Sequence, residues 1–241
     1  MAKERLDKLL SHMAVGSRKD VREIIKAGRV RIDGEVITDP AMQVDPDTQA
    51  VVLDTVTLTY QSHFHVMMHK PPGYITAADD PRKPTVMDVL PAELRRRDLM
   101  PVGRLDKDTE GLLLFTTDGE LTHRLLSPKW HVDKKYLVRL ERPLAPGAAA
   151  AFAAGIVLDD GYTCLPARLE SLGPQEATVT IREGKYHQVK RMFQAVGNHV
   201  VYLKRLEMGP LSLGDLPLGQ SRPLLDAEIK ALYDSAGLAR T

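Results

Sequence analysis

The chain has 241 residues, of which 43% are hydrophobic and 27% charged, and a formal net charge of +1. No window approaches the roughly 18 apolar residues of a membrane span, and the N-terminal MAKERLDKLL lacks the apolar run and small-residue cleavage site of a signal peptide. Composition therefore argues for a cytoplasmic protein with no membrane partner. The single cysteine, Cys164, allows no internal disulfide and has no Cys/His pair at ligand spacing near it, so a small semi-buried thiol is expected rather than a zinc ligand.

The near-zero net charge conceals an asymmetry. Residues 1–31 carry nine Lys or Arg against four acids, a local balance of +5. Such a cluster suits a polyanion-binding face, although a solvated helix surface has the same composition. Within it, Leu6, Leu9, Leu10 and Met13 recur at helical spacing. Gly16 is placed to end that helix and Ser17 to cap a second one, whose apolar stripe is Val21, Ile24 and Ile25. Past Gly28 the pattern changes to alternation in RVRIDGEVI, with Asp33-Gly34 as a tight hairpin turn. This predicts a small module over residues 1–60 and leaves 61–241 to a larger domain.

The order of RLDKLL and GSRKDVREIIKAGRVRIDGEVI resembles the S4 RNA-binding module over roughly residues 3–50. The resemblance implies structured RNA as partner. Arg18, Lys19, Arg22 and Lys26, at the start and on one flank of the second helix, are suited to tracking its phosphates.

A boundary is expected near residues 56–65, followed by a strand and a Pro71-Pro72-Gly73 turn. His63, His65 and His69 alternate there with apolar residues and share a strand face, but no acidic or cysteine ligand is close in sequence, so no metal is expected. PLAPGAAAAFAAG reads as a helix start. Downstream, KKYLVRLE, EATVTIREG and HVVYLKRLEMG alternate as strands, while GELTHRLLSP and YHQVKRMFQAVGN have helical periodicity. Strands and helices mix without a regular βαβ beat. The expected fold class is therefore α+β: a small N-terminal S4-like α/β-hairpin domain, then a larger catalytic domain with a mixed, mainly antiparallel sheet flanked by helices. No glycine-rich phosphate loop is present, and no cofactor is expected.

VGRLDKDTEGLLLF places Asp106, Asp108 and Glu110 just ahead of an apolar run. Three chemistries fit three carboxylates. A divalent metal site has oxygen ligands, but Arg104 and Lys107 would compete for them. A glycosidase pair needs two carboxyls roughly 5–10 Å apart across a sugar, and aromatics for stacking it are only 5% of the chain. The third is one reactive aspartate with solvated neighbours.

GRLDKDTEGLLLFTTDG resembles the central motif of the pseudouridine synthases, KPPGYITAADDPRKPTVMDVLP their first motif, KKYLVRL their tyrosine motif, and EGKYHQVKRMFQAVGNHVVYLKRLEMGPL their late motif. Together with the S4-like module these cover nearly the whole chain, and they are most similar to the RsuA family, which acts on small-subunit rRNA. The resemblance implies an isomerase that converts a uridine of 16S rRNA, uridine 516, to pseudouridine. It implies Asp106 as nucleophile at C1′ or C6, Lys190 as its basic partner, and Tyr136 stacking on the uracil or serving as a base. Arg104 would meet a phosphate or fill the space of the flipped uridine, with His187, Gln188 and Arg191 also on the substrate side. The RNA would be naked or part of a small-subunit assembly intermediate, and the protein a monomer. The alternatives are a non-catalytic RNA-binding assembly factor and a large-subunit rRNA synthase of the same family.

Overall fold

The computed structural model describes residues 3–239 apart from 14, 47, 59–62, 97 and 131, and the backbone alone at 12 and 128. The chain divides into two compact units between residues 62 and 63.

In the first unit, β1 (Glu4–Arg5) leads directly into α1 (Leu6–His12). Leu6, Leu9 and Leu10 are fully buried, as their helical spacing requires. The helix stops before Gly16: Met13 N–H closes on Leu9 O and Val15 N–H on Leu10 O, so its last carbonyls are already satisfied. Gly16 instead leaves room for the cap of α2 (Arg18–Lys26), because a Cβ there would lie 3.2 Å from Asp20 Cβ. Ser17 and Asp20 form that cap reciprocally; Ser17 Oγ accepts from Asp20 N–H and Asp20 Oδ2 accepts from Ser17 N–H. The hairpin follows as β2 (Val30–Ile32) and β3 (Glu35–Ile37), its two-residue turn carrying positive φ at Asp33 (50°) and Gly34 (89°). Next come β4 (Gln43–Val44), which pairs with β1, and β5 (Val51–Leu53) and β6 (Val56–Leu58), which complete a sheet of order β3-β2-β5-β6. Val30, Ile32 and Val51 from this sheet bury against Leu9, Val21 and Ile25.

The second unit is built on one sheet. In chain order its elements are β7 (His65–Lys70), α3 (Val86–Val89), β8 (Met100–Pro101), β9 (Glu110–Thr116), α4 (Gly119–Leu126) and β10 (Lys134–Leu140). They continue with α5 (Ala148–Ala154), β11 (Arg168–Gly173), β12 (Glu176–Ile181), α6 (Gln188–Ala195), β13 (Val200–Met208), β14 (Leu211–Ser212), β15 (Ser221–Pro223) and α7 (Asp226–Ser235). The order is β11-β12-β10-β13-β9-β7-β15, with β14 on β13 and β8 on β9. Every pairing among the described strands is antiparallel except β9 with β13. The fold is thus the expected α+β, with a mixed, mainly antiparallel sheet.

Helices cover both faces of the sheet, which explains the unbroken LLLF run. Leu113 and Phe115 face a core shared with Phe152 of α5 and Met192 and Phe193 of α6, whereas Leu112 and Leu114 face one shared with Leu121 of α4 and Leu232 of α7. Where β9 meets β13 the backbones nearly touch. A Cβ on Gly111 (φ 113°) would lie 2.2 Å from Arg205 O, so only glycine fits.

Two of the three histidines of the boundary region serve packing, while His63 Nε2 lies 3.7 Å from Asp118 Oδ2. His65 and His69 are buried in β7, His65 Nδ1 sharing a hydrogen bond with the Thr116 hydroxyl (2.8 Å) and His69 Nδ1 with Leu216 O (2.7 Å). Among the described residues no three His, Cys, Asp or Glu side chains gather as metal ligands. Cys164 is buried at 2% exposure rather than semi-buried, and burial pushes its thiol up to about 11. Among the described residues no helix is long and apolar enough to cross a membrane.

Candidate active site

Asp106 lies in the loop that brings the chain into β9, and that loop is held from beneath. Thr109 N–H bonds Asp106 O (3.1 Å), closing a turn around the carboxylate. Leu105 is gripped by the buried Thr76, whose hydroxyl donates to Leu105 O (2.9 Å) and accepts from Leu105 N–H (3.1 Å). Lys70, fully buried at the end of β7, donates to Pro71 O (3.0 Å), Thr109 O (3.0 Å) and Lys107 O (3.3 Å). The first-motif lysine is therefore a clamp on the backbone either side of Asp108. Burial pushes its ammonium down to about 8 against the pull of Asp108, Asp106 and Glu110.

Above the loop stands α6. Its preceding residue, His187, takes the left-handed conformation (φ 49°, ψ 32°), and Lys190 in its first turn reaches down. Lys190 Nζ is 3.1 Å from Asp106 Oδ2 and 2.6 Å from Asp108 Oδ1, while His187 Nε2 is 3.5 Å from Asp106 Oδ1. Asp106 and Lys190 side chains are about equally sheltered, at 25% and 24% exposure, whereas Asp108 is 74% exposed. Partial burial works against the charge on Lys190, but the hydrogen bonds it donates to Asp108 and Asp106 outweigh it and raise its pKa. Partial burial likewise opposes the charge on Asp108, and the Lys190 hydrogen bond prevails and lowers it. Glu110 faces elsewhere and accepts the Tyr202 hydroxyl (2.8 Å).

Asp106 and His187 border a cavity of about 650 Å³, within the range of small-molecule sites. Arg104, Asp106, Lys107, Tyr136, His187 and Gln188 line it together with apolar Ile181, Val189 and Leu203. Tyr136 is 7% exposed and pairs in register with Arg205 across β10 and β13. Tyr186, 77% exposed, stacks on His187 with centroids 3.8 Å apart.

Among residues singled out from sequence, Asp106, Tyr136, Arg104, His187 and Gln188 thus share the cavity, and Lys190 bonds Asp106. Gln188 spends both polar ends on its own loop, donating to Glu183 Oε1 (2.7 Å) and accepting from Lys185 N–H (2.9 Å). Arg191 is held by Asp159 and Asp160 and does not line the cavity. Arg18, Lys19, Arg22 and Lys26 are exposed on α2, where Arg22 pairs with Asp7 (3.0 Å) and Lys26 with Glu23 (3.8 Å). Sequence reasoning missed Lys70, Thr76, Lys134 and Arg205. Glu183 escaped it too: this buried carboxylate accepts from Tyr162 OH, Leu165 N–H and Gln188 and so shapes the loop before α6.

The arrangement is a sheltered carboxylate with a fixed cation beside a half-apolar, tyrosine-walled pocket sized for a nucleoside, and the comparisons agree with it. Residues 64–195 match the RNA pseudouridylate synthase family and residues 4–49 the S4 domain. An uncharacterized RNA pseudouridine synthase of Bacillus subtilis (strain 168) is 47% identical over 95% of this chain and 98% of its own. The ribosomal small subunit pseudouridine synthase A of Escherichia coli (strain K12) is 40% identical over 95% and 99%. A solved crystal structure of a pseudouridylate synthase is 38% identical, with a TM-score of 0.67 over 95% of this chain and 99% of that one. The chain belongs to the RNA pseudouridylate synthases, enzymes that isomerise uridine, and within them to the RsuA type, in which an S4 domain precedes the catalytic domain.

Proposed function

We propose that this enzyme converts one uridine of small-subunit ribosomal RNA, uridine 516 of the 16S molecule, to pseudouridine. Residues 1–60 grip the RNA through Arg18, Lys19, Arg22 and Lys26, and residues 61–241 carry out the chemistry, as a monomer in the cytoplasm. The observation that carries the reading is Asp106 at the wall of the cavity with Lys190 Nζ 3.1 Å from its carboxylate and Tyr136 lining the same space. The choice of small-subunit rRNA draws its support from the relatives that bear that name.

The isomerisation breaks N1–C1′ and joins C5 to C1′ without redox change, so a positioned carboxylate suffices and no cofactor is called for. The uridine leaves its stack and enters the cavity base first, the uracil against Tyr136. Asp106 supplies the nucleophilic oxygen, at C1′ or at C6, and Lys190 is its counter-ion. Arg104, exposed at the rim, meets the backbone phosphate. Gln188 and Glu183 keep the loop carrying His187 in shape.

Tritium release from RNA labelled at uridine C5 tests this. The native protein releases tritium from small-subunit rRNA, and Asp106→Asn binds the same RNA within about twofold but releases none over many native turnovers. Equal release by both proteins would contradict the role of Asp106.

A further inference from the structure

Two buried cations of the cavity have no part in the chemistry above. Arg205 is 2% exposed and lines the cavity; its Nε donates to Leu112 O (2.7 Å), while its Nη2 is buried without a hydrogen-bond partner. Lys134 is 6% exposed, lines the same cavity, and donates to Val132 O (3.1 Å). Among the described residues no carboxylate pairs with either. A guanidinium cannot shed its charge, and an unpaired buried donor costs free energy unless something else meets it. The two are close enough that Arg205, after burial itself, helps push the Lys134 ammonium down to about 8.

Resting on the isomerase reading, we propose that Arg205 and Lys134 form a donor-only floor that takes the carbonyl edge of the uracil and the negative charge that develops on it. A phosphate fits this place poorly. The lining cations that can meet one in water are Arg104, Lys107 and Lys185, all exposed, whereas Arg205 and Lys134 are buried beside Tyr136 and Leu203. A base entering first brings O2 and O4, both acceptors, to two groups that can only donate. Cytosine would bring an amino group in place of O4 and set donor against donor, so the same floor favours uracil.

The chemistry needs charge stabilised there by either route. If Asp106 bonds to C1′, the N1–C1′ bond breaks and its electron pair stays on the base, spread over N1, O2 and O4; C5 later bonds to C1′ as the carboxylate leaves, the C5 proton departs to a base, and N1 takes a proton. If Asp106 adds to C6, the C5–C6 π pair moves onto O4 as an enolate; C5 then bonds to C1′ as the N1–C1′ bond breaks, N1 takes a proton, and loss of the C5 proton expels the carboxylate from C6. In both cases a neutral ring becomes an anion facing fixed donors, which bind the transition state more tightly than the substrate.

The test compares native protein, Lys134→Met and Lys134→Arg in single-turnover tritium release from C5-labelled small-subunit rRNA, with RNA binding and thermal melting measured alongside. Lys134→Met should slow release about 10²-fold, the usual loss for one such donor, with RNA affinity within about twofold, and Lys134→Arg should recover at least about tenfold of it. RNA carrying 5-fluorouridine, which has no C5 hydrogen to release and whose single-turnover consumption is followed by chromatography of nucleosides, gives the discriminating readout. Fluorine lets the ring carry negative charge more easily, so the Lys134→Met defect should shrink on that substrate. Native release rates in a folded Lys134→Met, or an equal defect on both substrates, would overturn the proposal. Arg205→Lys adds a second arm, read only if its melting is native. Absence of release by the native protein would instead overturn the isomerase reading on which the proposal rests.

Discussion

Lys190 serves two carboxylates, and their exposure decides which of them matters. Its bond to Asp108 is the shorter, at 2.6 Å, yet Asp108 is 74% exposed, where an ion pair contributes little. Asp106 is sheltered at 25% and lines the cavity. Asp108→Asn should therefore release tritium within about threefold of native, since an exposed pair is worth roughly 0–1 kcal/mol, while Lys190→Met should lose most of its rate. A large loss in Asp108→Asn would assign the second carboxylate a direct part. Asp106, Lys190 and Tyr136 could be singled out from the sequence because three motifs carry them. Lys70, Lys134 and Arg205 could not, because a strand's alternation tells in from out and a cation on the inward face is written with the same letter as one facing water. Only the register of Arg205 with Tyr136, which needs the sheet, places it in the cavity.

At the scale of elements, the N-terminal module turns on Asp7. It is 2% exposed on α1, and Arg5 and then Arg22 of α2 hold its carboxyl down to about 2 against the opposing effect of burial. A carboxylate depressed in this way stabilises the fold above its unfolded value near 3.8, and that contribution is lost as pH falls through about 2. Asp7→Asn should destabilise the protein near neutral pH by about 1–3 kcal/mol, the cost of a lost hydrogen bond to a charged group, with the gap to native closing as pH falls below 4. Chemical denaturation followed by circular dichroism measures both. The helices, the capping box and the hairpin of this module were legible in the sequence because each is a local device. The end of α1 was not: Gly16 is the conspicuous stop, but backbone hydrogen bonds close the helix earlier. In the second unit the strands β10, β12 and β13 announce themselves by alternation. The parallel junction of β9 with β13 does not, since it depends on Gly111 lying against the Arg205 backbone. Gly111→Ala, with its Cβ 2.2 Å from Arg205 O, should abolish soluble folded protein, read by expression and melting.

Across the whole molecule, charge governs both RNA capture and pH response. The +5 balance of residues 1–31 against a total of +1 supports the polyanion grip proposed for the first module. Arg18→Ala and Lys19→Ala should each reduce the slope of log affinity against log salt by roughly 0.7–0.9, one phosphate's share, without altering single-turnover release at saturating enzyme. The lysines that burial lowers to about 8, Lys70 and Lys134, contribute an alkaline pH response of their own. Unfolded, each holds its proton up to about 10.5, so between pH 8 and 10.5 the unfolded chain binds more protons and the cost of burying each charge, full below pH 8, is relieved as pH rises. Lys134 faces Arg205, which lowers it further, and Asp133, which opposes that. Native protein should thus gain in melting temperature relative to Lys134→Met from pH 8 to 10, while its release rate falls over the same range. A constant difference in melting would show that Lys134 does not titrate there.

Mapping pseudouridine in small-subunit and large-subunit rRNA incubated with native protein or Asp106→Asn, by carbodiimide-dependent reverse-transcription stops, tests the central claim most directly. A single new stop in small-subunit rRNA, at uridine 516, is expected with the native protein and none with the variant. A stop only in large-subunit rRNA, or one that persists in Asp106→Asn, would contradict it.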